Sequence, residues 1–482
     1  MIRPDFIAVA PLLVVSATTL ALMLAIALRR SFALANAVTC AGLAAALFSL
    51  PAAWSAAPRR ISTLLVVDHY GLFYVALALS GSFFVAIFSY AHPKPDVGRR
   101  EESYLLLLLA ALGSAVLVTS SHFVSLFLGL EILSVALYAL IAYPRLRQES
   151  VEAGMKYLVL GSASAAFLLF GMALVYAQLG SMSLGRLAAA MGTSSLTTDP
   201  LIALGVALML TGAGFKLGVV PFHLWAPDVY QGASAPVGGF IATVSKASMV
   251  ALVFRYFTDV NPASYRSVLL ALSAIAIASM FAGNLLALLQ TSLKRILAYS
   301  SITHLGYVLV ALQAPGRAAA EAATYYLAAY LITLLLAFGT ITLMSDGRAD
   351  GDRLENFRGM FWKSPLPATA LTAAMLSLAG IPFTAGFIGK FYIVAVGVEA
   401  ALWPLVVILV LTSVIGLFYY LRVVVAIYSD VPKEVDGALD PSTPALGGRI
   451  ALSALSLALV VLGVYPDPLM TMIRNAAAGL LQ

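Results

Sequence analysis

The sequence predicts an all-α polytopic membrane protein with about fourteen transmembrane helices in two inverted five-helix repeats, each containing a broken helix. Three observations lead there: the composition, the spacing of apolar runs, and the few charges inside those runs. Apolar residues make up 61% of the 482 positions and charged residues 10%, with a mean hydropathy of +0.97. Soluble domains carry about 25% charged residues, so most of this chain sits in a solvent that does not reward charge. At about 20 residues per crossing, the length leaves little room for a soluble domain.

The apolar runs cover residues 6–28, 32–54, 70–91, 104–120, 122–143, 155–179, 201–230, 236–257, 268–289, 297–313, 321–344, 366–398, 401–427 and 450–472. These are spans one to fourteen below. The first run exceeds a signal-peptide core, and its charges, Arg29 and Arg30, follow it rather than precede it, so it remains a helix. The basic residues gather in alternate loops, among them Arg29, Arg30, Arg99, Arg100, Arg145, Arg147, Lys294, Arg295, Arg353 and Arg358. By the positive-inside tendency those loops face inward and both termini face outward. This distribution also explains the pI of about 9.2 without nucleic acid, since the cations flank spans and form no stripe.

Two runs are too long for simple helices. Residues 201–230 and 366–398 would measure about 45 and 50 Å as continuous helix, against a hydrocarbon core of about 30 Å. Each carries Gly and Pro near its middle: Gly218 and Pro221 in span seven, Gly380 and Pro382 in span twelve. Proline removes a helix hydrogen bond, so both spans are expected to break there. Unwound backbone at membrane depth is tolerated only where protein or a wet cavity surrounds it. The broken spans are the fourth members of two successive groups of five. Units with an odd number of spans lie inverted in the membrane, the plan of ion-coupled transporters. The expected organisation is an N-terminal three-helix segment (1–103), a first five-helix repeat (104–257), its inverted counterpart (258–428) and a C-terminal span (429–482).

An ionisable group at mid-bilayer costs about 2.5 to 3.5 kcal/mol on insertion scales, so each one marks a functional site by default. Glu131 lies mid-span five, Lys216 precedes the break in span seven, Lys246 is mid-span eight, and Lys390 follows the break in span twelve. Arginine outnumbers lysine 20 to 8, yet these three deep cations are all lysine. Arginine does not surrender its proton in a protein, whereas a desolvated lysine can. Lysine at this depth therefore suits proton loading and release. Glu131 is the natural partner of Lys216. At an effective dielectric near 20, parting the pair from about 4 to 8 Å changes their attraction by roughly 2 kcal/mol. That is close to the roughly 2.3 kcal/mol that 100 mV imposes on one charge. His223, Asp228 and His304 could extend a proton wire, while Lys156 reads as an interfacial anchor.

Other chemistry is excluded by composition. The single Cys40 cannot furnish a disulfide framework, a thiolate iron-sulfur cluster or a cysteine zinc site, and no metal site is expected. The stretch Gly212 to Leu217 lacks the third glycine and the preceding strand of a dinucleotide loop.

Four segments carry a resemblance. Leu128 to Ser134 (LGLEILS), Gly214 to Ala235 (GFKLGVVPFHLWAPDVYQGASA), Thr291 to Tyr307 (TSLKRILAYSSITHLGY) and Ala385 to Tyr392 (AGFIGKFY) resemble the subunit N family of bacterial NADH:quinone oxidoreductase, respiratory complex I. The resemblance covers most of the chain and is most specific over spans five to twelve. It implies fourteen helices with two inverted five-helix repeats. It also implies that the family's key glutamate falls on Glu131 and its broken-helix, central and exit-side lysines on Lys216, Lys246 and Lys390. The implied setting is a bacterial inner membrane, with both termini periplasmic and with a small three-helix subunit and another antiporter-like subunit as neighbours. NADH, flavin, iron-sulfur clusters and quinone would belong to partner subunits, with no cofactor bound by this chain. Two other classes share parts of the pattern: subunits of stand-alone sodium/proton antiporters, and a purely structural membrane scaffold that would need none of the four charges.

Overall fold

The apolar runs fold as helices in the computed structural model, which describes residues 3–92, 100–191, 199–257, 266–345, 351–430 and 446–480. Among the described residues thirteen helices are long and apolar enough to cross a membrane, and a shorter one, Pro365–Ala379, is half of a span cut in two. Spans one to six are Ala10–Leu28, Phe32–Ala56, His69–Ala91, Glu102–Thr119, Phe123–Ile141 and Gln148–Leu179. Span seven is Pro200–Leu217 followed, after a break, by Trp225–Gly232. Spans eight to eleven are Ala235–Phe257, Arg266–Leu288, Leu293–Gln313 and Arg317–Met344. Span twelve is Pro365–Ala379 and Ala385–Glu399, followed by Trp403–Tyr428 and Leu446–Val464.

The ends of these helices follow from local chemistry. Ser31, Asp68, His122, Asp199 and Ser292 precede spans two, three, five, seven and ten, and each side chain accepts a first-turn N–H that the helix cannot satisfy. A short antiparallel hairpin, Arg59–Ile61 with Leu65–Val67, joins spans two and three. Composition alone does not announce it, nor the amphipathic helix Leu184–Met191, whose Leu184 and Leu187 are buried while Arg186 is exposed.

Spans eight, ten and eleven form the centre. Every residue in the apolar window of span eight is buried, whereas spans one, two, six, nine, thirteen and fourteen bury less than half of theirs. The central helices therefore enclose polar groups that the outer ones shield from lipid.

The two breaks share one geometry. Gly218 and Gly380 both take left-handed backbone (φ +73° and +81°). At each, the glycine N–H and the next residue's N–H fold back onto the preceding helix: Gly218 to Gly214 and Phe215, Val219 to Gly214; Gly380 to Leu376 and Ser377, Ile381 to Leu376. This is the Schellman ending, in which glycine avoids the Cβ penalty and the orphan carbonyls find partners. A second echo lies at the caps of spans five and ten. His122 pairs as an isolated antiparallel bridge with Ser183 after span six, and Ser292 pairs likewise with Arg353 after span eleven. Five spans separate the two caps, so they lie at opposite faces of the membrane, as inverted repeats require.

The structure differs from expectation at the C-terminus. The single span expected over 450–472 ends at Val464, and Pro466 starts a separate helix, Asp467–Ala477. Proline lacks the N–H that would continue the first helix, and the second buries only one face.

Candidate functional site

Lys216 is the next-to-last residue of the first half of span seven and is buried. Its ammonium donates to Ser134 Oγ and to Tyr157 Oη, each at 3.1 Å. The expected ion pair with Glu131 is not formed. Glu131 makes no ion pair among the described residues, and its Oε1 is buried without a hydrogen-bond partner. The register of spans five and seven sets the amine opposite Ser134, one helical turn beyond Glu131 on the same face. Neutral hydroxyls therefore hold the amine, and no direct contact joins it to the carboxylate.

Beyond the break, Trp225 donates its indole N–H to the carbonyl of Phe215 at 2.9 Å, a second donor there beside the Gly218 N–H. Its ring packs on Tyr157 at 4.7 Å and faces the amine of Lys246 at 6.0 Å, so it stands between the first two amines.

Lys246 follows a π-helical segment, Ile241–Ser245, inside span eight. Such segments misalign the helix ladder locally and recur at functional sites. The buried Lys246 amine donates to Ser301 Oγ at 2.6 Å and lies 5.5 Å above the Tyr230 ring, while Tyr230 Oη lies 3.2 Å from Ser301 Oγ. One turn along span ten is His304, also buried. Both its ring nitrogens meet tyrosine hydroxyls, Nδ1 that of Tyr326 and Nε2 that of Tyr420 at 3.0 Å, and Tyr420 is bonded in turn to Ser300. Because a tyrosine hydroxyl both donates and accepts, this imidazole can exchange tautomers without holding a net charge.

Lys390 points back at the break in its own span. It donates to the carbonyls of Leu378 and Ala379 at 2.8 and 2.9 Å and to Ser413 Oγ at 2.8 Å. A cation at a helix C-terminus is favoured by the helix dipole, so the amine also stabilises the interrupted helix.

The remaining candidates lie apart. Asp228 on the second half of span seven bridges Lys156 at 2.8 Å and Arg295 at 2.9 Å, and Lys156 also pairs with Glu152 at 2.7 Å. Lys156 is thus an ion-pair partner as well as an anchor. His223 is half-buried next to the break, and no hydrogen bond joins it to any of the three amines. Two further buried cations were not among the expected three. Lys294 caps the carbonyls of Gln231 and Ala233 at 2.9 and 2.7 Å. Arg255 forms a buried bidentate pair with Asp68 and donates also to the carbonyl of Val118. The buried arginine is thus spent on a fixed ion pair, while the candidate proton carriers are lysines, the division their proton chemistry favours.

Sequence reasoning passed over the acceptors Ser134, Tyr157, Tyr230, Ser301, Tyr326, Tyr420 and Ser413. A signal did exist in span ten, where Ser300, Ser301, His304 and Tyr307 recur at helical spacing inside an apolar run.

Residues 120–416 match the family described as NADH:quinone oxidoreductase/Mrp antiporter, TM. A relative from Ectopseudomonas mendocina (strain ymp), described as NADH-quinone oxidoreductase subunit N, is 48% identical over 98% of this chain and 96% of its own. The chain belongs to the NADH:quinone oxidoreductase/Mrp antiporter family. Among solved structures, respiratory complex I from Thermus thermophilus with bound aureothin contains a chain 35% identical, with a TM-score of 0.82, matched over 96% of this chain and 99% of that one. The Mrp complex from Dietzia sp. DQ12-45-1b contains a chain of the same fold, with a TM-score of 0.85 at 21% identity, matched over 100% of this chain and 98% of that one. Membership of this family agrees with an all-helical, multi-pass membrane chain built on two broken spans.

Proposed function

We propose that this chain is a proton-translocating membrane subunit of an NADH:quinone oxidoreductase, moving protons along Glu131, Lys216, Lys246, His304 and Lys390 while partner subunits oxidise NADH and reduce quinone. The observation that carries the reading is the row of three buried lysine amines. Each is held by hydroxyls or carbonyls, and none is in an ion pair among the described residues. A neutral acceptor satisfies an ammonium yet leaves its proton free to depart, whereas an adjacent carboxylate would retain it. Two breaks and one π-helical segment place these amines where backbone and side chains can rearrange.

The division of labour has support in composition. With one cysteine, this chain cannot supply the ligands of a thiolate-held cluster, and we assign it a non-redox part, with nicotinamide, flavin and clusters in other subunits. The basic loops favour both termini on the outer side, and the family resemblance implies a bacterial inner membrane with a small three-helix subunit and another antiporter-like subunit as neighbours. We read 104–257 and 258–428 as the two inverted units, between the segments 1–103 and 429–482.

We leave His223 and Asp228 outside the row, because neither bonds to any of the three amines. Asp228 sits between two cations, an arrangement that fixes span six against spans seven and ten.

The test is Lys216→Ala in the complete oxidoreductase reconstituted in vesicles. Proton movement per NADH oxidised should fall severely, and an unchanged ratio would favour the scaffold reading. The fold shared with an Mrp complex keeps one alternative, a subunit of a stand-alone sodium/proton antiporter. That alternative gains if the native particle lacks NADH-oxidising activity.

A further inference from the structure

Spans five and ten occupy matching places in the two five-span groups, as their bridged caps show. Glu131 lies nine residues beyond the cap His122, and Ser301 lies nine residues beyond the cap Ser292. In the same register Ser134 matches His304. In each span one of the two positions accepts from an amine, Ser134 from Lys216 and Ser301 from Lys246, while His304 continues to Tyr326 and Tyr420. The second group therefore has a hydroxyl where the first has a carboxylate. That hydroxyl is fully buried, touches the Lys246 amine at 2.6 Å and is shared with Tyr230.

We propose that Ser301 is the positioning residue that keeps the proton of Lys246 transferable, by supplying a neutral acceptor at the place where the first repeat carries Glu131. The inference rests on the proton-translocation reading. A buried ammonium needs an acceptor, or it bears the full cost of desolvation. A carboxylate at 301 would satisfy it too, but would add a charge attraction that holds the proton in place and halts the row at its centre. A hydroxyl satisfies the amine at each stage of transfer, because it can donate to the neutral amine as well as accept from the ammonium.

The experiment uses the complete oxidoreductase assembled around each variant chain and reconstituted in vesicles, reading protons moved per NADH oxidised. Ser301→Asp should lower that ratio at least fivefold, while Ser301→Asn, of similar size and neutral, should stay within twofold of the native value. Equal ratios for the two variants would overturn the assignment. If the Asp variant does not assemble, Ser301→Ala and Ser301→Thr decide: Ala should lower the ratio at least threefold and Thr should restore it, and equal ratios again overturn the assignment. Lys246→Ala is measured alongside. Native pumping by that variant would refute the proton-translocation reading itself, whereas lost pumping with an indifferent position 301 would refute only the role of Ser301.

Discussion

Gly380 and Lys390 share one small volume. A Cβ placed at 380 would lie 3.1 Å from the Lys390 Nζ and 2.9 Å from its Cδ, while the backbone there already has φ +81°. The break in span twelve and the amine it accommodates are thus one unit.

Gly380→Ala should therefore be penalised twice, by about 1–2 kcal/mol for the left-handed backbone and further by the displaced amine. The expected result is a complex that assembles with reduced thermal stability and moves fewer protons per NADH. Native values on both measurements would mean that Lys390 tolerates displacement.

Glu131 makes no direct contact with Lys216, so the role proposed for it is electrostatic, exerted across a gap. Glu131→Gln keeps shape and removes charge. Proton pumping should fall at least fivefold with little loss of assembly, and Glu131→Asp should retain part of it. Pumping by the Gln variant at the native rate would show the charge to be idle.

Asp68 and Arg255 form a bidentate pair with side chains 6% and 7% exposed, and Asp68 also caps span three through the Gly71 N–H. Asp68→Asn leaves a buried guanidinium without its counter-charge and should cost about 3–5 kcal/mol. Thermal unfolding of the purified complex would show it, and the double change Asp68→Leu with Arg255→Met should be milder than either single change. A single variant as stable as the native chain would exclude this pair as the clamp between spans three and eight.

Asp228 sits 35% exposed between two cations, in a setting where such pairs contribute about 0–1 kcal/mol. Asp228→Asn should preserve more than half of the pumping that Lys216→Ala abolishes. Equal losses in vesicle assays would return Asp228 to the proton path.

Much of the fold was legible in the sequence because membrane helices announce themselves. Long apolar runs, Gly-Pro interruptions and basic loops fix the spans and their breaks through hydrogen bonding that lipid cannot supply. The C-terminal run misled because residues 450–472 are largely apolar, and only the short Pro466-Asp467-Pro468 stretch marks where one helix ends. The π-helical segment before Lys246 left no trace, since its residues Ile241 to Ser245 also suit an ordinary helix.

The sequence by itself singled out one carboxylate and three lysines inside its apolar runs, conspicuous by their rarity, though not the buried Lys294 or the Asp68–Arg255 pair. Only the tertiary structure decided what each of them touches. Hydroxyl groups are common, and their meaning depends on which helix faces which. The register of spans five and six against span seven gave Lys216 to Ser134 and Tyr157 instead of Glu131, and the approach of span eight to span ten gave Lys246 to Ser301. Contacts between helices distant in sequence are set by how side chains interlock across them, a property that no single apolar run contains.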